Sequence, residues 1–216
     1  MHDHKTHSHH HAHDCPARRR FLALSAAGGL AALLGVPRRA HAIAASQGDV
    51  FVNGMPAAAD QAVSAGDHVV VSHGSSATLV VGEDAYDLGE RTDLRIGRFD
   101  RTIELYTGSM LSVFGAGTTH LLTPLASMVI RGSGIFVHAE PEYVYYCTCY
   151  GSSRIVTYGG EGSRSTEDVT ATHHAPRLIA LDGRGKVQIL PADVEQHNDE
   201  QLTALEARVG RKPPFA

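Results

Sequence analysis

"GDVFVNGMPAAADQAVSAGDHVVVSHGSSATLVV", residues 48–81, decides the fold. Its apolar side chains recur at every second position, the spacing that sends successive residues to opposite faces of a strand. "DVFVNG" ends in Asn53–Gly54, a dipeptide able to supply the two positive φ angles of a type I′ hairpin turn. "DHVVV" then runs into the turn "SHGSS", and "ATLVV" follows it. These are strands joined by tight turns.

The same punctuation continues outward to the C-terminus. "AYDL", "LRI", "TIELYTG", "SMLSVFG", "HLLTP", "ASMVIRG", "GIFVHAE", "EYVYYCTCY", "RIVTYGG", "DVTATHH" and "RLIAL" are separated by Gly-rich breaks, and Asp182–Gly183 precede "KVQIL". Many short strands of similar length predict a single all-β domain, a sandwich, roll or solenoid-like stack, over residues 43–190. The tail, residues 191–216, differs. In "NDEQLTALEARVG", Asn198 can cap, Leu202, Leu205 and Val209 share a face, and Gly210 can stop a short helix over 198–209.

Residues 1–42 read as an export signal. The polar, basic start ends in "ARRRFLAL", and the apolar run Phe21–Val36 is diluted by Ser25, Gly28 and Gly29. It falls short of the roughly 20 apolar residues that span a bilayer. "AHA" at Ala40–Ala42 supplies a processing site, which puts the mature start near Ile43. Arg18, Arg19, Arg20, Phe21 and Leu22 fit the twin-arginine pattern R-R-x-F-L, with Arg20 in the free position. The expectation is a periplasmic protein whose partner during export is the twin-arginine translocase, held at a membrane only if the signal stays uncleaved. That route carries folded chains, so cysteines could meet a metal while still reduced. Seven of the fifteen histidines lie in "MHDHKTHSHHHAHD". Such tracts can bind metal, but the interleaved Asp, Lys, Thr and Ser read as a polar leader.

Charge divides at the same place. Residues 1–42 carry six Lys/Arg against two Asp/Glu, and the remainder carries 13 against 21. An acidic domain without a basic stripe is a poor nucleic-acid binder.

The order of the motifs resembles the FecR-type domain, the periplasmic β domain of iron-citrate signalling regulators. Gly48, Gly54, Gly66, Asp67, Ser76, Ala77 and Leu79 hold the positions of G-x-V-x-x-N-G, G-D-x-V and S-x-A-x-L. Farther on, "LYTGSMLSVFG…LLTPLASMVIRGSGIFV" resembles L-x-x-G-x-L, T-P and V-R-G-T-x-F-x-V. Arg131, Gly132 and Phe136 match, and Ser133 stands where threonine is usual. The resemblance covers about residues 48–158 and implies a β scaffold exposed to the periplasm, binding an envelope protein or polymer. Sigma-factor control is not carried over, because the chain has no tryptophan and no matching sigma-binding segment, which leaves a signalling or sensor module without that segment as an alternative. Arg131 is expected to tie down backbone carbonyls at a strand end. A side chain at Gly132 is expected to crowd the turn after Arg131.

"YVYYCTCYGSS", residues 143–153, holds the two cysteines that lie beyond Cys15. On a regular strand Tyr143, Tyr145, Cys147 and Cys149 share one face, and Val144, Tyr146, Thr148 and Tyr150 the other. Cα atoms two residues apart on a strand are separated by about 7 Å, the far limit of disulfide geometry. Two thiols on one face suit a metal better. His173–His174 end a strand two elements on, and because neighbours point oppositely, one of the pair is expected to complete the site. The candidate ligands are therefore Cys147, Cys149, His173 and His174, and thiolate with neutral imidazole suits zinc or copper. Affinity for such an ion should rise with pH, since the deprotonated donors bind. Two other accounts stay open: a dithiol–disulfide redox pair, and buried cysteine packing as a small hydrophobe. No C-x-x-C-H, phosphate-cradling Gly loop or G-x-S-x-G occurs, and an enzyme is not expected.

Overall fold

The computed structural model describes residues 42–98, 101–159 and 164–216. The export signal expected over 1–42 lies outside them apart from Ala42. The described strands are β1 (Ala42–Gln47), β2 (Val50–Val52), β3 (Met55–Pro56), β4 (His68–Val71), β5 (Ser76–Val81), β6 (Asp84–Leu88) and β7 (Asp93–Ile96). They continue as β8 (Thr102–Val113), β9 (Thr118–Leu122), β10 (Ala126–Ala139), β11 (Tyr143–Thr157), β12 (Thr166–Ala171), β13 (Ala175–Leu181) and β14 (Val187–Pro191). One helix follows, α1 (Asp199–Arg208). The domain is all-β with a short C-terminal helix, as the two-residue period predicts. Among the described residues no helix is long and apolar enough to cross a membrane.

All the strands belong to one open, branched sheet. Its path runs β14-β13-β11-β10-β9-β8-β7-β4-β2-β3, with β1, β5 and β6 attached through β8 and β12 attached to β11. Both ends of the path finish in a proline, Pro56 and Pro191. Asn53 (φ +52) and Gly54 (φ +78) join β2 to β3 in the left-handed conformation that a two-residue I′ turn needs.

Three strands are longer than their Gly-rich spellings suggest. "TIELYTG" and "SMLSVFG" are one strand, β8, and β10 and β11 merge their pairs likewise. The glycines there are irregularities inside a strand, and each irregularity changes which face points inward. In β10, Met128 and Ile130 enter the main core from even positions, but Ile135 and Val137 from odd ones. The switch occurs where Arg131 pairs with Ser152 but Gly134 with Tyr150, an extra residue in β10. The next pair is Ile135 with Thr148, so β11 carries an extra residue too, Cys149. A single inserted residue inverts the side-chain pattern beyond it.

This bulge is tied by Ser133. Its hydroxyl lies 2.9 Å from the Arg131 carbonyl and 3.1 Å from the Ser152 carbonyl, and it accepts the Ser152 N–H at 2.9 Å. Arg131 is exposed and makes no such bond among the described residues, so Ser133 carries the role expected of it. Nor is Gly132 crowded. A side chain there would meet open space, and what demands glycine is its φ of +53°.

Two apolar clusters result. The main core gathers residues from β1, β2 and β4 to β14. A second cluster lies on the opposite face of β5, β6, β8, β10 and β11, where Val80, Ala85, Leu111, Val113, Phe136, Tyr145, Cys147, Cys149 and Tyr150 meet Leu202 and Leu205 of α1. Tyr150 thus joins the cysteine face instead of the opposite one, because the bulge at Cys149 inverts the alternation.

Candidate metal centre

Cys147 and Cys149 are buried, free thiols on the helix-covered face of the sheet. The edge of β11 changes partner beside them. Residues 143–148 pair with β13, and residues 151–156 pair with β12. The connection between β12 and β13 therefore crosses at Cys149. His174 closes that connection with φ +46°, and its N–H donates to the Cys149 carbonyl at 2.8 Å. Local strain and a backbone bond together point the His174 ring under the helix, where its side chain is 9 % exposed.

The fourth member comes from the tail. His197 precedes Asn198, whose side chain accepts the Gln201 N–H while the Gln201 side chain accepts the Asn198 N–H, a reciprocal cap on α1. The His197 ring stacks on Phe136 with centroids 4.7 Å apart and planes 6° from parallel. Tyr145 Oη fixes the preceding segment, donating to the Asp193 carbonyl at 2.9 Å and accepting the Glu195 N–H at 3.0 Å.

Proton bookkeeping defines what these rings present. The Glu195 carbonyl can only accept, so the 2.7 Å contact to His197 Nδ1 places a hydrogen on Nδ1 and leaves Nε2 bare in the neutral ring. The Asp199 carboxylate, 3.0 Å from His174 Nε2, likewise leaves Nδ1 bare on His174. The two bare nitrogens face each other at 3.2 Å, and Cys147 Sγ lies 3.6 Å from His174 Nδ1. One donor atom each from Cys147, Cys149, His174 and His197 lies within 4.8 Å of all the others. Around tetrahedral zinc, bonds of about 2.3 Å to sulfur and 2.0–2.1 Å to nitrogen give donor–donor edges of roughly 3.3–3.8 Å. The two spacings are of that size. These four residues could hold a metal ion, with a carbonyl and a carboxylate behind the imidazoles as metal sites commonly have.

The thiols differ from each other. The adjacent Cys149 side chain, with burial opposing, lowers the pKa of Cys147, and the His197 and His174 rings add to this when protonated. Burial first, then the adjacent Cys147 sulfur, pushes Cys149 up. Cys147 is thus the more readily ionised of the two, and a bound cation would favour ionising both.

Of the residues singled out in the sequence, Cys147, Cys149 and His174 are brought together, while His173 is not with the cysteines. Its side chain is 52 % exposed and its Nε2 meets both Asp199 oxygens, at 2.9 and 3.0 Å. His173, His174 and Asp199 form a second, more open group of metal-capable atoms. His197 and Asp199 escaped sequence reading. The usable signal was the cap at Asn198, since the residue before a cap often packs an apolar side chain and here His197 takes that place, stacked on Phe136. A cavity of about 980 Å³ lies elsewhere, near Ile43, Phe114, Tyr150, Glu206 and Arg211, and contains none of the four donors.

No family model matches this chain, and no curated protein matches it. It is similar to two crystal structures, at 1.65 and 2.50 Å, of a "putative anti-sigma factor" from Parabacteroides distasonis. Identity is 15 % and 14 %, and the TM-scores are 0.48 and 0.47. Each likeness covers 58 % of this chain and 60 % of the other, so the chain spans under two thirds of the structures it matches.

Proposed function

We propose that this protein is an exported, FecR-like β-domain protein of the cell envelope that binds a soft or borderline metal ion, zinc or copper(I), through Cys147, Cys149, His174 and His197. The observation that carries the metal reading is the pair of imidazole nitrogens, each stripped of its hydrogen by a partner behind the ring, facing each other at 3.2 Å beside two thiols. Two acceptors so placed need a shared proton or a metal ion between them, and the two thiols alongside complete a donor set for the ion. Four donors with no open position suit binding rather than catalysis. Export rests on the twin-arginine pattern, and the FecR-like assignment on the glycine and Asx positions from Gly48 to Phe136. The redox alternative draws support from the low Cys147 pKa, but both thiols are fully buried and offer an external disulfide no approach.

Cobalt(II) added to the reduced full-length chain tests the site. Thiolate-to-cobalt absorption reports cysteine ligation alone, so the leader histidines stay silent in it, and the chain and every variant carry Cys15→Ser so that the leader thiol is silent too. We expect that band in the native chain and in His173→Ala, its loss in Cys147→Ser and Cys149→Ser, and a weakened, altered spectrum in His174→Ala and His197→Ala. A native chain with no such band, and no zinc retained on dialysis, would show that the cysteines are packing residues.

A further inference from the structure

The four donors are unevenly distributed along the chain, and the distribution carries a mechanical consequence. Cys147 and Cys149 lie on β11, and His174 lies on the short connection between β12 and β13 that is bonded to β11. His197 alone belongs to the segment that leaves the sheet after Pro191. We propose that the metal ion fastens this segment, residues 192–216, over the outer face of the sheet, and that removing the ion frees the part around His197. The inference rests on the metal reading above.

The segment has little else with which to hold its leading half. Helix α1 has ten residues, too few to persist alone in water. Leu202 and Leu205 are the apolar side chains it buries, with Ala192, Val209 and Phe215 partly packed. Tyr145 Oη binds Asp193 and Glu195, His138 Nδ1 meets Gln196 Oε1 at 2.8 Å, Asp199 reaches His174 and His173, and the His197 ring stacks on Phe136. Those bonds exchange for water at little cost. The trailing half is anchored differently. Buried Glu206 accepts from Tyr150 Oη and from Arg211 Nε, and Arg211 Nη1 donates to the Glu83 carbonyl at 2.7 Å. That anchor is independent of the four donors.

Ion binding and docking are therefore linked. With an ion, His197 is cross-linked to three donors of the sheet, and the cap at Asn198 is set one residue away. Without one, His197 loses that cross-link, and the leading half is left with its hydrogen bonds, the stack on Phe136 and the burial of Leu202. Undocking also uncovers Phe136 and Leu111, the apolar residues beside Gln196, His197 and Gln201. The ion stabilises the closed arrangement by binding it more tightly than the open one.

Amide hydrogen exchange on the full-length chain, with excess zinc and with chelator, reads the latch directly and needs no variant. Peptides covering 193–203 should exchange at least tenfold faster in chelator, those covering 206–211 should change much less, and β8, β10 and β11 should stay protected. A hydrophobic dye should brighten with chelator and dim on adding zinc. Equal protection of 193–203 in both conditions, in a chain that shows the cobalt–thiolate band, overturns the latch and leaves the metal site standing. A chain without that band overturns the metal reading itself. If 193–203, β10 and β11 all lose protection together, the ion holds the whole fold and the latch is again wrong.

Discussion

Gly132 sits at φ +53° with open space around it, so its requirement is conformational. Gly132→Ala should destabilise by about 1–2 kcal/mol, the penalty of a left-handed L-residue. Gly134 poses the opposite problem, because a Cβ there would run into the Tyr150 ring. Gly134→Ala should cost about 1–3 kcal/mol through overpacking and move Tyr150, its partner in the register. Denaturant unfolding of the two variants checks both, and equal stability to the native chain would refute either. Asp87 offers a pH test away from the cysteines. Burial raises its pKa above the ordinary 3.8, with a hydrogen bond from Thr78 and the charge of Arg208 opposing. Its ionised form therefore costs stability, fully above the folded pKa and not at all below the unfolded one. Asp87→Asn keeps the acceptor for Thr78 and should be more stable than the native chain near neutral pH. The gain should vanish as pH falls through the folded pKa toward 3.8. A stability difference independent of pH would contradict this. At this scale the sequence disclosed the alternating thiols and the adjacent histidines. It could not disclose Tyr150's face or Cys149's position as the extra residue, since an insertion opposite Gly134 leaves no mark in either strand's own spelling.

Among the elements, α1 was the most legible. Its cap, apolar face and terminating glycine are all local signals, and Gly210 takes φ +73° just past the helix. Its buried face is set by Leu202 and Leu205. Leu202→Ala should cost about 2–5 kcal/mol if the helix is docked throughout. Its cost should fall markedly in chelator if the leading half is already free, so thermal melts in zinc and in chelator distinguish the two. Asn198→Ala removes the reciprocal cap and should cost about 1 kcal/mol. Because the cap adjoins His197, it should also weaken cobalt binding. The long strands were less legible. Gly108, Gly132 and Gly151 spell turns, and each takes positive φ, yet β8, β10 and β11 run straight through them. A glycine at positive φ permits a turn or a bulge equally, and the choice belongs to the neighbouring strand.

For the whole molecule, the two-residue period was enough to foresee an all-β domain, because alternation is written in every strand. The pairing order was not foreseeable. β9 lies parallel to the first half of β8, and β6 and β10 flank its second half, an arrangement set by packing of the main core and not by any one segment. His197's place follows from the same global packing, since 23 residues separate it from His174.

The sheet's openness has one further consequence. A sheet that does not close has margins where unpaired backbone can recruit another chain, the first step toward aggregation. Here the last strand at each end of the path carries a proline, Pro56 in a two-residue strand and Pro191 at the end of β14. Neither nitrogen can donate to an added strand. Replacing both by threonine should leave the monomer folded but promote self-association on concentration, read by light scattering, and an unchanged monomer would refute it. The two prolines would then be what keeps the ends of the main path from recruiting another copy, while the branch strands β1 and β12 carry no such guard.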